Sequence, residues 1–124
     1  MNERVVVLGA SAKPHRYSNR AIALLARNNH TPIPVSLRDD EILGHKAYRE
    51  ISDITGEVDT VTLYVNPGIL SGLIDDIIEL KPKRVIMNPG TESPEAAEVF
   101  ERNGIRVISA CTLVLLTTGQ FHSF

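Results

Sequence analysis

Gly9, Ala10 and Ser11 follow directly on the apolar run Val5-Val6-Val7-Leu8 and precede a stretch that carries Lys13, His15, Arg16 and Ser18. Glycine turns the backbone without a Cβ clash, and amides at such a turn and at the next helix start can face an anion. Ser11 adds a hydroxyl donor. Arg16 adds a planar fork that grips phosphate through two bonds, which Lys13 as a point charge cannot do. These residues suit a phosphate-bearing ligand, although an ordinary strand-to-helix turn with solvated cations would also carry them. The dinucleotide fingerprint is absent: Ala12 and Pro14 stand where further glycines would be, so the loop is longer and stiffer than G-x-G-x-x-G.

Two further places carry polar groups of a suitable kind. After the second apolar run the chain reads Val35-Ser36-Leu37-Arg38, with Asp39 and Asp40 only later. An NAD site puts an acid at that point to hold the ribose hydroxyls. A cation there favours a ligand with an extra ribose phosphate, which means NADP or coenzyme A. Asn88-Pro89-Gly90-Thr91-Glu92-Ser93 forms the other place. Gly90 and a helix start at Ser93 make a second amide-rich turn, and Asn88 is suited to bond a ligand amide or carbonyl. Glu92 is assigned to helix-dipole chemistry rather than catalysis. Cys111 precedes a final helix with no histidine placed near it by sequence, so it reads as a small apolar filler. His15, His30, His45 and His122 show no ligand spacing with one another or with Cys111, and no metal is expected. No residue is assigned a catalytic role.

The elements that must position these groups alternate. Residues 4–8 read as a buried parallel strand. Ser18 caps a helix to about Asn28, with Asn28-Asn29 as a left-handed exit. Residues 33–36 form a second strand whose prolines mark it as short or edge-like. Residues 37–58 are irregular: a short helix near 39–43, an extended piece at 46–47 and a turn at 52–54. Strand three spans 59–65. Asn66-Pro67 opens a helix whose apolar face runs from Ile69 to Ile78, closed by Lys81-Pro82. Strand four (84–87), a helix from Ser93-Pro94 to Asn103-Gly104, strand five (105–108) and a short helix (112–118) complete the chain. This is an α/β, Rossmann-like, doubly wound parallel five-stranded sheet, with expected order 3-2-1-4-5. In that order the winding reverses between strands one and four, so the facing loops are 9–17 and 88–93, with 66–68 close by.

The chain has 124 residues and is 43% apolar, enough for one domain (1–124) with one core. A net charge of −2 without runs of one sign argues against a nucleic-acid or membrane surface. A single cysteine permits no internal disulfide and fits a reducing cytoplasm. No stretch reaches the ~18 apolar residues of a membrane span, and no secretory signal is visible.

Four blocks of the sequence resemble the small stand-alone coenzyme A-binding proteins, which are similar to the N-terminal domain of the succinyl-CoA synthetase α subunit. The blocks are VVVLGASAKPHRYSN, PVSLRDDEILGHKAYREISDI, VDTVTLYVNP and RVIMNPGTESPEAAEVFERNGIRVISAC. The resemblance implies that the loop after Gly9 and the Ser18 helix start hold the coenzyme's pyrophosphate. It implies that Arg38 meets the adenosine side and its phosphate. Val65 and Pro67 would line the adenine or the pantetheine, and Asn88 and Gly90 would face the pantetheine arm. Where relatives read valine-asparagine-proline-lysine, this chain has Val35-Ser36-Leu37-Arg38, and Ser109-Ala110 replaces an aspartate-arginine pair before the late cysteine. A synthetase's second domain, with its phosphorylated histidine, has no counterpart here. The resulting expectation is a non-catalytic module that binds coenzyme A or an acyl-CoA, a small nucleotide-containing ligand. The alternatives are an NADP-dependent enzyme, a Cys111-dependent acyl-transfer enzyme, or a degenerate nucleotide fold serving as an interaction module. The apolar tail, residues 114–124, would then be a homodimer contact.

Overall fold

A computed structural model describes residues 2–123. Its elements run β1 (Arg4–Leu8), α1 (Tyr17–Arg27), β2 (Thr31–Val35), β3 (Glu41–Ile42), β4 (His45–Lys46), a 3₁₀ turn (Ile51–Asp53) and β5 (Thr60–Leu63). They continue with α2 (Pro67–Ser71), α3 (Ile74–Leu80), β6 (Arg84–Met87), α4 (Pro94–Arg102), β7 (Arg106–Ser109) and α5 (Thr112–Thr117). The fold is the doubly wound α/β sheet expected, with five parallel strands.

The strand order corrects the expectation. It is β2-β1-β5-β6-β7, or 2-1-3-4-5 when only strands of this sheet are counted, not 3-2-1-4-5. The reason lies in β2. Thr31 N–H donates to the Glu3 carbonyl on the β1 side, so by alternation Pro32 and Pro34 turn to the outer edge, where proline has no N–H to give. That edge cannot hold another full strand. It takes only Tyr48, whose N–H reaches Pro34 O at 2.9 Å and whose carbonyl accepts Ser36 N–H at 2.9 Å. The next long strand therefore pairs on the far side of β1, Val5 against Thr60 through Leu8 against Leu63. The winding reverses between β1 and β5, one strand nearer than anticipated.

The sheet separates two apolar layers. Val6, Leu8, Val61 and Val85 face Leu70, Ile77, Ala96 and Phe100 of α2, α3 and α4. Val5, Val7 and Ile86 face Ile22 and Leu25 of α1 and Leu115 and Leu116 of α5. A strand buried on both faces reads as a continuous apolar run, which is why β1 was legible.

Local expectations fared unevenly. Residues 39–43 are no helix: Leu43 and Gly44 both take positive φ (50° and 80°) and close the two-residue hairpin between β3 and β4. Helix α1 starts at Tyr17 with Arg16 as N-cap, and Ser18 is a buried second helical residue rather than the cap. Asn66 does cap its helix, accepting Ile69 N–H at 2.8 Å, but the helix breaks at Gly72-Leu73 into α2 and α3. Ser93 caps α4, and Lys81 (φ 55°) ends α3. No helix among the described residues is long and apolar enough to cross a membrane.

Candidate functional site

A crevice of ≈ 850 Å³ opens at the carboxyl ends of β1, β2 and β5, the place where a doubly wound sheet takes its ligand. One wall is the loop from Gly9 to Lys13 and the start of α1 with Arg16, Tyr17 and Ser18. A second is the chain after β2, from Ser36 to Asp39, with Arg49, Glu50 and Ile51. The third is Tyr64, Val65, Ile69, Leu73 and Asp76 after β5.

The glycine loop is built by contacts within the protein. Gly9 has φ +87°, and a Cβ there would sit 2.6 Å from the Tyr64 carbonyl oxygen, so close passage of the β5 backbone by itself demands glycine. The Gly9 and Ala10 N–H groups donate to Val35 O at 3.3 and 3.0 Å. Ala12 N–H donates to Asp39 Oδ2 at 3.2 Å, and Lys13 N–H to Ser11 Oγ at 3.1 Å. Asn19 Nδ2 ties the loop to α1 through Ser11 O at 2.9 Å. Among the described residues the N–H groups of Ser11 in the loop and of Tyr17 and Ser18 in the first turn of α1 have no acceptor within the protein, and all three residues line the crevice. The dipole of that eleven-residue helix points its positive end there. Lys13, Arg16, Arg38 and Arg49 bring side-chain cations to the same rim.

The chain after β2 is pinned. Ser36 Oγ accepts the N–H groups of Arg38 and Asp39, each at 3.2 Å. Arg49 donates to Leu37 O at 2.6 Å and to Asp40 Oδ1 at 3.0 Å. Sequence reasoning missed Arg49, Ile51, Ile69 and Leu73. The signal for Arg49 was the proline-blocked edge of β2, which among the described residues pairs with Tyr48, the neighbour of Arg49. Leu37 and Tyr17 are 82% and 66% exposed at the crevice mouth.

Of the residues singled out from sequence, Gly9, Ala10, Ser11, Arg16, Ser18, Arg38 and Val65 line this crevice, and Pro67, Asn88 and Gly90 do not. Pro67 is the exposed first residue of α2. Asn88 is 3% exposed. Its Nδ2 donates to Thr62 Oγ1 (2.7 Å) and Leu63 O (2.8 Å), and its Oδ1 accepts Thr112 N–H (2.8 Å). That amide joins β5, β6 and the start of α5. Gly90 N–H is held by Glu92 Oε1 at 2.8 Å, so Glu92 serves the turn. Both displacements follow from the strand order: β5 stands between β1 and β6 and carries the post-β6 turn away from the glycine loop. Tyr64 lines the crevice while burial pushes its phenol up to about 12, partly offset by the neighbouring Thr112 and Thr62 hydroxyls. Cys111 is half-buried at the N-cap of α5, outside the crevice lining. Among the described residues no group of three His, Cys, Asp or Glu side chains could hold a metal ion.

Comparison with known proteins gives this geometry a context. A crystal structure of an uncharacterized protein superposes with a TM-score of 0.92 at 42% identity, covering 98% of this chain and 99% of that one. YneT of Bacillus subtilis is 27% identical over 107 residues, 86% of this chain and 79% of its own length. The α subunit of the ADP-forming acetate–CoA ligase II of Pyrococcus furiosus is 24% identical over 92% of this chain. The match spans only 27% of the ligase subunit. The model of the CoA binding domain matches residues 3–117. On that match the chain belongs to the CoA-binding domain family.

Proposed function

We propose that the protein is a binding module for coenzyme A or an acyl-CoA, without chemistry of its own. The observation that carries this reading is the crevice at the winding reversal, lined by apolar Val35, Val65, Ile69 and Leu73 and by the cations Lys13, Arg16, Arg38 and Arg49 against the carboxylates Asp39, Glu50 and Asp76, in a chain of the CoA-binding domain family. The pyrophosphate lies at the first turn of α1, held by the Tyr17 and Ser18 amides, Arg16 and Lys13. Adenosine lies toward Leu37 and Arg38. The adenine or pantetheine packs along Val65, Ile69 and Leu73. Catalysis is not part of this reading, because Cys111 and Glu92 lie outside the crevice lining.

Calorimetry with CoA, acetyl-CoA, NADP and NAD tests the proposal. The expected outcome is binding of both coenzyme A forms with NADP and NAD at least about tenfold weaker. Arg16→Ala should weaken coenzyme binding by about tenfold, the loss of one charge-assisted phosphate contact. Equal, undetectable binding of all four would overturn the reading.

A further inference from the structure

Among the described residues Asp39 is the carboxylate of the crevice that bonds the glycine loop itself. Ser36 Oγ accepts the Arg38 and Asp39 N–H groups at 3.2 Å and donates to Asp39 Oδ2 at 3.5 Å. This turn folds the chain after β2 back on itself, and Asp39 Oδ2 then accepts Ala12 N–H at 3.2 Å. The carboxylate thus stands between the glycine loop and the end of β2. In sheets wound this way that position belongs to the ribose of an adenine nucleotide, and an acid there accepts the ribose hydroxyls. The residue order Arg38-Asp39-Asp40 hid this, because the turn at Ser36 brings the later residue nearer the loop. Arg38, by contrast, has an exposed side chain with no hydrogen bond or ion pair among the described residues.

We infer that Asp39 is a specificity-determining residue that accepts ribose hydroxyls and disfavours a phosphate on the ribose, so that it opposes Arg38 in setting which adenosine ligand the crevice prefers. The inference rests on the coenzyme reading and refines it. A ribose phosphate would set a dianion beside a carboxylate fixed by two bonds, and like charges at close range act as a repulsive selector. Arg38 is exposed and screened by solvent, while Asp39 Oδ2 is held by Ala12 N–H and Ser36 Oγ, so the held charge has the larger differential effect.

The test is calorimetry of CoA and dephospho-CoA, which differ only in that phosphate, on the wild type and on Asp39→Asn. Asparagine keeps an oxygen for Ala12 N–H and removes the charge. The ratio of the two dissociation constants should move toward CoA by about tenfold in the variant. A move of less than about threefold, or a move toward dephospho-CoA, overturns the inference. If Asp39→Asn does not fold, the wild type decides through adenosine 5′-monophosphate against adenosine 3′,5′-bisphosphate. Tighter binding of the monophosphate supports the inference, and equal binding or tighter binding of the bisphosphate overturns it. Failure of the wild type to bind either coenzyme overturns this inference and the coenzyme reading together; binding of both with an unmoved ratio overturns this inference alone.

Discussion

Gly9 and Asn88 show how residues of types suited to a ligand site can serve the fold instead. Gly9 is required by the Tyr64 carbonyl 2.6 Å from where a Cβ would be, at φ +87°. Gly9→Ala should therefore cost about 2–4 kcal/mol of stability with or without ligand, from backbone strain and overlap together. A urea titration measures it, and a loss confined to ligand binding would contradict the structural role. Asn88 has the side chain expected of a ligand contact, yet its amide joins Thr62, Leu63 and Thr112 inside the protein. Asn88→Ala leaves the Thr112 N–H buried without an acceptor, at a cost of about 3 kcal/mol. Coenzyme affinity of the folded fraction should change by no more than about twofold, because Asn88 lies outside the crevice lining and reaches it indirectly, through Thr62 and Thr112 beside Tyr64. The sequence could not separate these roles, because a carboxamide that caps a helix and one that binds a ligand look alike until the strand order is known.

The elements explain what was legible and what was not. β1, α4 and the cap at Asn66 could be read because local chemistry decides them: a doubly buried run, a Ser-Pro start and an Asn-Pro start. The helix expected at residues 39–43 failed because Leu43-Gly44 adopts a hairpin turn that needs a left-handed leucine, which local propensity disfavours. The strand order was not legible strand by strand, because it depends on Pro32 and Pro34 turning nitrogens that lack a hydrogen to the outer edge of β2. The same irregular segment holds the crevice's second wall. Arg49 reaches back from it to Leu37 O and Asp40, a link that orders a loop rather than supporting the core. Its pair with Asp40 is exposed, and exposed pairs contribute little to stability. Arg49→Ala should accordingly leave the melting temperature within about 2 °C of wild type. It should weaken coenzyme binding by about fivefold, because the loop must then be ordered on binding. A large thermal shift with unchanged affinity would invert this assignment.

At the scale of the whole molecule, the end of the sheet opposite the crevice closes on the chain's own tail. Phe121, 2% exposed, lies under the Arg84 guanidinium at 4.5 Å, and His122 Nδ1 lies 3.4 Å from Glu3 Oε2. Leu115, Leu116 and Phe121 are buried in this chain's core, which leaves Val114 as the exposed large apolar residue of the segment first considered as a dimer contact; Phe124 lies outside the described residues. His30 sits in this cluster, 6% exposed, with its ring 5.0 Å from Phe121 and 5.2 Å from His122. Its Nδ1 accepts the Glu3 N–H at 3.0 Å, which only the unprotonated nitrogen can do. Burial holds its pKa below the usual 6.5; Glu3 pulls the other way, and His122 and Arg84 add to the lowering. The sign follows directly. As pH falls through about 6.5 the unfolded chain binds the proton first, so stability drops between that pH and the lower folded-state value, and is fully present above. Urea midpoints should therefore be level from about pH 8 to 7 and decline below about 6.5, and His30→Gln, which keeps an acceptor for Glu3 N–H, should flatten the decline. If His30→Gln reproduces the wild-type curve through this range, the loss has another source and the tail cluster does not set the acid limit of the fold.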